Sequence, residues 1–146
     1  DQLKEELVTH ASTRSSPFPP YSLRVVNSLA GNKACADCSS PDATWASVTH
    51  GILLCLNCSG RHRGLGVQCS FVRSMTMDDW TVQEVLKMLE GGNDQLATFF
   101  KKQSVGDYEI EKKYKTKASR YYRESLGKHT DTIMEKGLAN YEGRVR

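Results

Sequence analysis

No stretch of this chain stays apolar for long. The longest unbroken run, residues 52–56, has five residues, whereas a membrane-spanning helix needs about 20. Charge of one sign is equally scarce. Twenty Lys and Arg against 17 Asp and Glu leave a formal +3, well short of the strongly basic balance of a DNA-binding domain. There is no internal repeat and no low-complexity tract, and apolar residues with 12 aromatics recur at regular spacings, which argues against disorder of the chain as a whole. A Gly-x4-Gly-Lys-Ser/Thr loop is also missing, so the chain is not expected to cradle a nucleotide itself. Asp1 stands where an initiator Met would. The chain is therefore expected to be a piece of a longer protein, and the missing signal peptide decides nothing.

What is present suits one folded domain with short extensions. The 146 residues are 38% hydrophobic and 25% charged, enough for a modest core. In residues 1–11, Leu3, Leu7, Val8 and Ala11 share one helical stripe. Pro17, Pro19 and Pro20 then forbid regular helix, so residues 1–20 read as an appended helix and a linker. Ser22 is the expected N-cap of a helix over residues 23–30 that Gly31 stops. Thr76 and Asp79 have capping-box spacing ahead of the apolar stripe Val82, Val85, Leu86 and Leu89. Gly91-Gly92 ends that stripe, and Asn93 starts a short helix carrying Leu96, Phe99 and Phe100. Residues 110–126 are helical in pattern, with Thr116 as a restart point, and the tail over 127–146 is expected to fray. Residues 101–128 hold nine Lys or Arg against four Asp or Glu. Such a face suits phosphates, an acidic surface or anionic lipid, or is simply solvated.

The strongest local signal is Cys35-Ala-Asp-Cys38 and Cys55-Leu-Asn-Cys58, separated by sixteen residues. Two C-x2-C pairs at that distance predict a four-cysteine site for one structural zinc ion. The two-residue gap lets both thiolates reach the same ion, and the ion keeps all four deprotonated. Four ligands complete the tetrahedron, so Cys69, His50 and His62 are surplus. A cysteine-bound zinc also implies a reducing, intracellular compartment. Residues 45–48 and 52–54 read as the strands of a hairpin turned at His50-Gly51, and the second cysteine pair opens a short helix toward Gly64. The predicted fold is α+β: knuckle, hairpin and helix around the metal, with a small sheet surrounded by several helices.

Two functions fit such a finger. In a DNA-binding finger of the GATA type, Arg61, His62, Arg63 and Arg73 would meet bases and phosphates. The alternative turns on helix geometry. At about 100° per residue, Arg61 and His62 lie near the Cys58 face, while Arg63 is turned roughly 140° away and is free to meet a partner. A rigid guanidinium on a metal-fixed scaffold suits phosphate recognition in trans.

The pattern C-x2-C-x16-C-x2-C-x4-R, as Cys35, Cys38, Cys55, Cys58 and Arg63, resembles the signature of the ArfGAP domain. The likeness extends to Trp45, Gly51-Ile52, Ser59-Gly60, Leu65-Gly66-Val67 and residues 72–78, and it spans about residues 25–123. Residues 61–66, Arg-His-Arg-Gly-Leu-Gly, are most similar to the Golgi-type subfamily. Gln68 and Cys69 depart from the usual residues but touch neither the ligands nor Arg63. The resemblance implies a domain over residues 21–126 that activates Arf-type GTPases, with zinc as cofactor and a GTP-bound Arf as partner. Arg63 would be the arginine finger, and Trp45, Ile52, Met77 and Asp78 fall on positions the family uses for activity. Packing explains Trp45 and Ile52 equally well, and a first-turn carboxylate role explains Asp78. Turnover would occur on the GTPase, so the chain is expected to be an activator and not an enzyme in its own right. Cytoplasmic residence with recruitment to Golgi or other vesicle-forming membranes follows from the resemblance. Vesicle coat proteins are possible further partners, nucleic acid is not expected, and membrane contact is expected to be indirect or through other regions. A silent scaffold of the same fold, or a nucleic-acid finger, is the alternative.

Overall fold

The computed structural model describes residues 1–144. In chain order its elements are α1 (Gln2–Ala11), β1 (Ser16–Pro17), α2 (Pro20–Ser28), β2 (Trp45–Ser47), β3 (Ile52–Leu54), α3 (Leu56–Arg63), β4 (Val72–Ser74), β5 (Asp79–Trp80), α4 (Val82–Glu90), α5 (Asn93–Lys102), α6 (Ile110–Lys113) and α7 (Lys117–Lys136). The α+β class expected from the sequence is observed. The central sheet has three antiparallel strands in the order β3-β2-β4, with Trp45 opposite both Leu54 and Ser74. One core packs Val26, Ala46, Trp80, Val85 and Leu89 between the sheet and the N-terminal helices. A second lies beneath the cysteines and includes Ile52, Leu54, Leu96, Phe100, Tyr114 and Leu126.

The hairpin is shorter than expected. Val48 leaves the strand to start a 3-10 turn, Val48–His50, which Gly51 closes at φ +66°. A side chain at Gly51 would place its Cβ 2.5 Å from the backbone oxygen of Lys87. The turn therefore requires glycine both for its left-handed backbone and for the close approach of α4.

The supposed linker is structured. β1 pairs antiparallel with β5, Ser16 opposite Trp80. Phe18 meets the Trp80 ring edge-on at 4.9 Å, and His10 Nε2 donates to the Trp80 carbonyl at 2.7 Å. α2 starts at Pro20, three residues before the expected first helical residue. Glu6 on α1 explains the shift: its carboxylate accepts from the N–H groups of Tyr21 and Ser22 and from the Ser22 hydroxyl, at 2.9, 2.7 and 2.7 Å. A carboxylate at a helix N-terminus satisfies free donors and favours the dipole. Ser22 is thus inside the helix and buried, not its cap. Leu3 and Leu7 are buried as well, while Val8 is exposed. A chain beginning at Tyr21 should melt at least about 10 °C lower, because Leu3, Leu7, Phe18 and the Glu6 cap all leave the core. Thermal denaturation followed by circular dichroism measures this, and an unchanged midpoint would show that the segment is only appended.

The C-terminal half also departs from expectation. The capping box is Thr81 with Glu84, not Thr76 with Asp79. Thr76 sits in a turn whose N–H donates to Ser74 Oγ, and Asp79 is in β5. Instead of fraying after Gly127, α7 continues to Lys136, with Leu126 and Thr130 buried. Beyond it Tyr141 is buried and donates to Glu90 at 2.6 Å. The expected fraying of residues 145–146 lies outside the described residues.

Candidate functional site

Because β2 is antiparallel to both neighbours, its first residue lies at the end of the sheet where β3 and β4 finish. Trp45 therefore sits beside two corners. After Leu54 the chain passes Cys55 and enters α3 at Leu56, and after Ser74 it turns through Met77 and Asp78. Sequence-distant residues are thus collected at one edge.

Cys35, Cys38, Cys55 and Cys58 converge there, with their four sulfurs within 4.8 Å of one another. Cys38 is exposed and the other three are buried. Backbone N–H groups point at the sulfurs as the two-residue gaps predict: Cys58 to Cys55 Sγ at 3.3 Å and Asp37 to Cys35 Sγ at 3.5 Å. Burial pushes the Cys35 thiol up, and burial with the nearby Cys35 charge pushes Cys58 up further. Burial also acts against Cys55, but the N–H of Cys58 and the neighbouring thiols outweigh it and lower that thiol. Four sulfurs this close are a donor set suited to one metal ion, which removes the mutual repulsion of the thiolates.

A buried polar chain runs from this cluster into the core. Asp37 accepts from His62 Nε2 at 2.8 Å, from the Tyr114 hydroxyl at 2.8 Å and from Lys113 at 3.2 Å. Burial opposes ionisation of Asp37, yet these partners hold its carboxyl below the usual carboxylate range. His62 Nδ1 meets Ser70, Ser70 meets Ser47, Ser47 meets His50, and His50 meets Ser119 on α7. Burial, with the His62 and Arg123 charges, lowers the His50 pKa to about 3, so its imidazole is neutral and bridges two hydroxyls. The two histidines that the four cysteines leave surplus are therefore structural, and they fix α3 and α7 to the sheet.

The three nearby arginines differ in what occupies them. Arg61 is held by Glu111, through two nitrogens at 2.9 and 2.7 Å, and by Glu109 at 3.1 Å. The Arg61 guanidinium in turn draws the Glu111 carboxyl down to about 2. Arg73 stacks on Phe71 with its guanidinium carbon 4.8 Å from the ring, and its Nε is buried without a partner. Arg63 is exposed at the end of α3, with its guanidinium carbon 5.7 Å from the centre of the Trp45 ring. A cation held over an indole is oriented without being neutralised. Trp45 is half-buried, so it packs and presents a face at once.

The remaining candidates separate. Met77 is 73% exposed on its turn. Asp78 accepts from the Ser74 N–H at 2.7 Å and braces that turn. Ile52 is fully buried in the sheet interior, so it supports the sheet and offers no surface to a partner. Leu56, which the sequence reading passed over, is 67% exposed. It lies seven residues before Arg63 and so on the same helical stripe, with the open face of Gly60 between them. The i, i+7 spacing was the available signal, but Leu56 sits at the end of the apolar run and reads there as core.

A family model described as "Putative GTPase activating protein for Arf" matches residues 21–131. The chain belongs to the ArfGAP family. Among curated proteins this ArfGAP chain is 42% identical over 100 residues to the "ADP-ribosylation factor GTPase-activating protein GCS1" of Saccharomyces cerevisiae, covering 67% of this chain and 28% of that protein. It is 48% identical over 84 residues to the human "Arf-GAP with coiled-coil, ANK repeat and PH domain-containing protein 3", covering 58% of this chain and 10% of that protein. The ArfGAP chain thus spans only a minor part of these relatives. Among solved structures, a "putative GTPase activating protein for ADP ribosylation factor" from Cryptosporidium parvum superposes with a TM-score of 0.69 at 32% identity, covering 76% of this chain and 90% of that one. The fold of this ArfGAP domain is therefore the family's. No helix among the described residues is long and apolar enough to cross a membrane.

Proposed function

We propose that this ArfGAP domain accelerates GTP hydrolysis on an Arf-family GTPase by inserting Arg63 beside the nucleotide phosphates of its partner. The single observation that carries the reading is the contrast among the arginines: Arg63 is exposed and aimed by Trp45, while Arg61 is engaged by two carboxylates. When γ-phosphoryl transfer to water begins, charge redistributes over the phosphate oxygens. A guanidinium there stabilises the transition state more than the ground state. The water, the magnesium ion and the nucleotide belong to the GTPase, so this chain is an activator and the reaction turns over on its partner.

Cys35, Cys38, Cys55 and Cys58 would hold zinc, which supplies a covalent-like clamp on the knuckle and on the start of α3 and takes no part in the reaction. Leu56, Trp45 and Met77 form the apolar part of the docking face, and Ile52 belongs to its support. From the Arf GTPase-activating relatives we infer residence in the cytoplasm at vesicle-forming membranes such as the Golgi, with coat proteins as further partners.

The test is single-turnover hydrolysis by a panel of GTP-loaded Arf proteins mixed with the zinc-loaded chain. Stimulation of at least one member is expected, and none at saturating concentrations would end the proposal. Random duplex DNA retarded with a steep salt dependence would favour the nucleic-acid alternative instead. Leu56→Asp should raise the concentration of activator needed for half-maximal stimulation by roughly tenfold or more, because burying an unpaired carboxylate at a docking face is costly. The maximal rate should change little. A lowered plateau with unchanged half-saturation would show that Leu56 serves chemistry and not docking.

A further inference from the structure

We propose that the groove between the loop following α3 and the N-terminal half of α7 binds anionic phospholipid headgroups, so that this domain touches a membrane directly. The groove is open to solvent, has a volume of about 1040 Å³ and is lined by Val67, Lys115, Lys117, Arg120 and Arg123, among others. That volume is at the upper end of small-molecule clefts, roughly 300–1,000 Å³, and admits a phosphorylated headgroup.

Its charge is predominantly positive, with Glu124 as the acidic member of the lining. Lys115, Lys117 and Arg120 are exposed, and neither lysine forms an ion pair among the described residues. Arg120 shares Glu124, an exposed i, i+4 pair of little strength. Arg123 is fixed by its Nη1, which donates to the Tyr114 carbonyl at 3.1 Å and to Ser119 Oγ at 3.4 Å. These cations surround the start of α7, whose first turn carries no acidic residue. The positive end of a helix dipole disfavours them there, and a bound anion relieves that repulsion.

The second feature is apolar. Val67 is 71% exposed at the tip of a loop that Gly66 turns at φ +95°. The loop is tied by hydrogen bonds: the Cys69 and Ser70 N–H groups both donate to the Gly66 carbonyl, at 3.0 and 2.9 Å. An exposed aliphatic tip across a groove from several cations has the chemistry of a bilayer interface, where the tip enters the acyl boundary and the cations meet phosphates. An acidic protein surface would satisfy the lysines but gives no role to Val67. Because the loop starts directly after Arg63, a headgroup bound here would hold the finger close to the membrane. That consequence rests on the function proposed above, whereas lipid binding itself does not.

Vesicle flotation of the zinc-loaded chain tests the site. Vesicles of phosphatidylcholine alone should leave it in solution. Vesicles with roughly one part in five phosphatidylserine, or one in twenty phosphatidylinositol 4-phosphate, should carry it upward, less so at higher salt. Lys115→Gln with Lys117→Gln should weaken that binding roughly 30-fold, from the usual contribution of two basic residues at an anionic surface. Val67→Ser should weaken it roughly fivefold. Both variants should keep the wild-type circular dichroism and the wild-type stimulation of a soluble Arf without vesicles. Failure to float with either anionic lipid overturns the proposal, as does flotation that the groove variants leave unchanged. Capture of a poly-glutamate peptide through the same lysines, without flotation, would assign the groove to an acidic protein. Loss of stimulation on soluble Arf with flotation intact would instead bear on the GTPase reading.

Discussion

Arg63→Ala is expected to lower the stimulated rate of GTP hydrolysis by about 10³-fold or more, the range typical of an arginine finger. The loss should fall on the maximal single-turnover rate and leave half-saturation nearly unchanged, because a finger acts chiefly in the transition state. Metal content and melting temperature should stay put, since Arg63 is exposed and rests against the face of Trp45. Arg63→Lys should be nearly as damaging, as an ammonium lacks the planar fork. Arg61→Ala separates the alternatives: its guanidinium bridges α3 to Glu109 and Glu111 at the surface, and exposed bridges contribute little, so the rate should drop less than about threefold. If Arg63→Ala kept more than about a third of the wild-type plateau, Arg63 would not be the finger.

Cys55→Ser is expected to abolish both metal binding and the folded state at ordinary temperatures. Cys55 is at once a member of the sulfur cluster, the N-cap of α3 and part of the second core. A serine oxygen keeps the cap geometry but is a poor partner for a soft, closed zinc site. Folding of such modules is coupled to metal, so far-ultraviolet circular dichroism and elemental analysis should fall together, from about one zinc per chain to near none. Cys69→Ser is the control. Its thiol merely donates to the Tyr114 carbonyl at 3.2 Å, and zinc content should be unchanged. A well-folded wild-type sample without zinc would remove the premise of both variants.

What could be read in the sequence was whatever depends on short-range spacing. The two cysteine pairs, the turn of Arg63 away from Cys58 and the stripe that became α4 each need no knowledge of distant residues. What could not be read depends on partners far along the chain. α2 begins at Pro20 because Glu6, on another helix, caps it. β1 and β5 are two residues each and exist only because Ser16 meets Trp80. β4 was missed for the same reason, since three residues beside β2 carry no periodicity of their own. Gly127 looks like a stop, yet α7 passes through it because Leu126 and Thr130 are buried on either side. Ile52 and Leu56 are both aliphatic members of one run, and only the corner between β3 and α3 decides that the first is interior and the second exposed.

The positions of the two tryptophans give this domain a pair of separable optical reporters. Trp80 is fully buried and its indole N–H donates to the Ser74 carbonyl at 3.1 Å, so its emission changes only when the core opens. Trp45 is half-buried beneath the Arg63 guanidinium, and covering that face by a partner changes the polarity around its indole. With Trp80→Phe, the tryptophan fluorescence of the chain would come from Trp45 alone, and stopped-flow mixing with a GTPase would time the arrival of a partner beside Arg63 without a label on either protein.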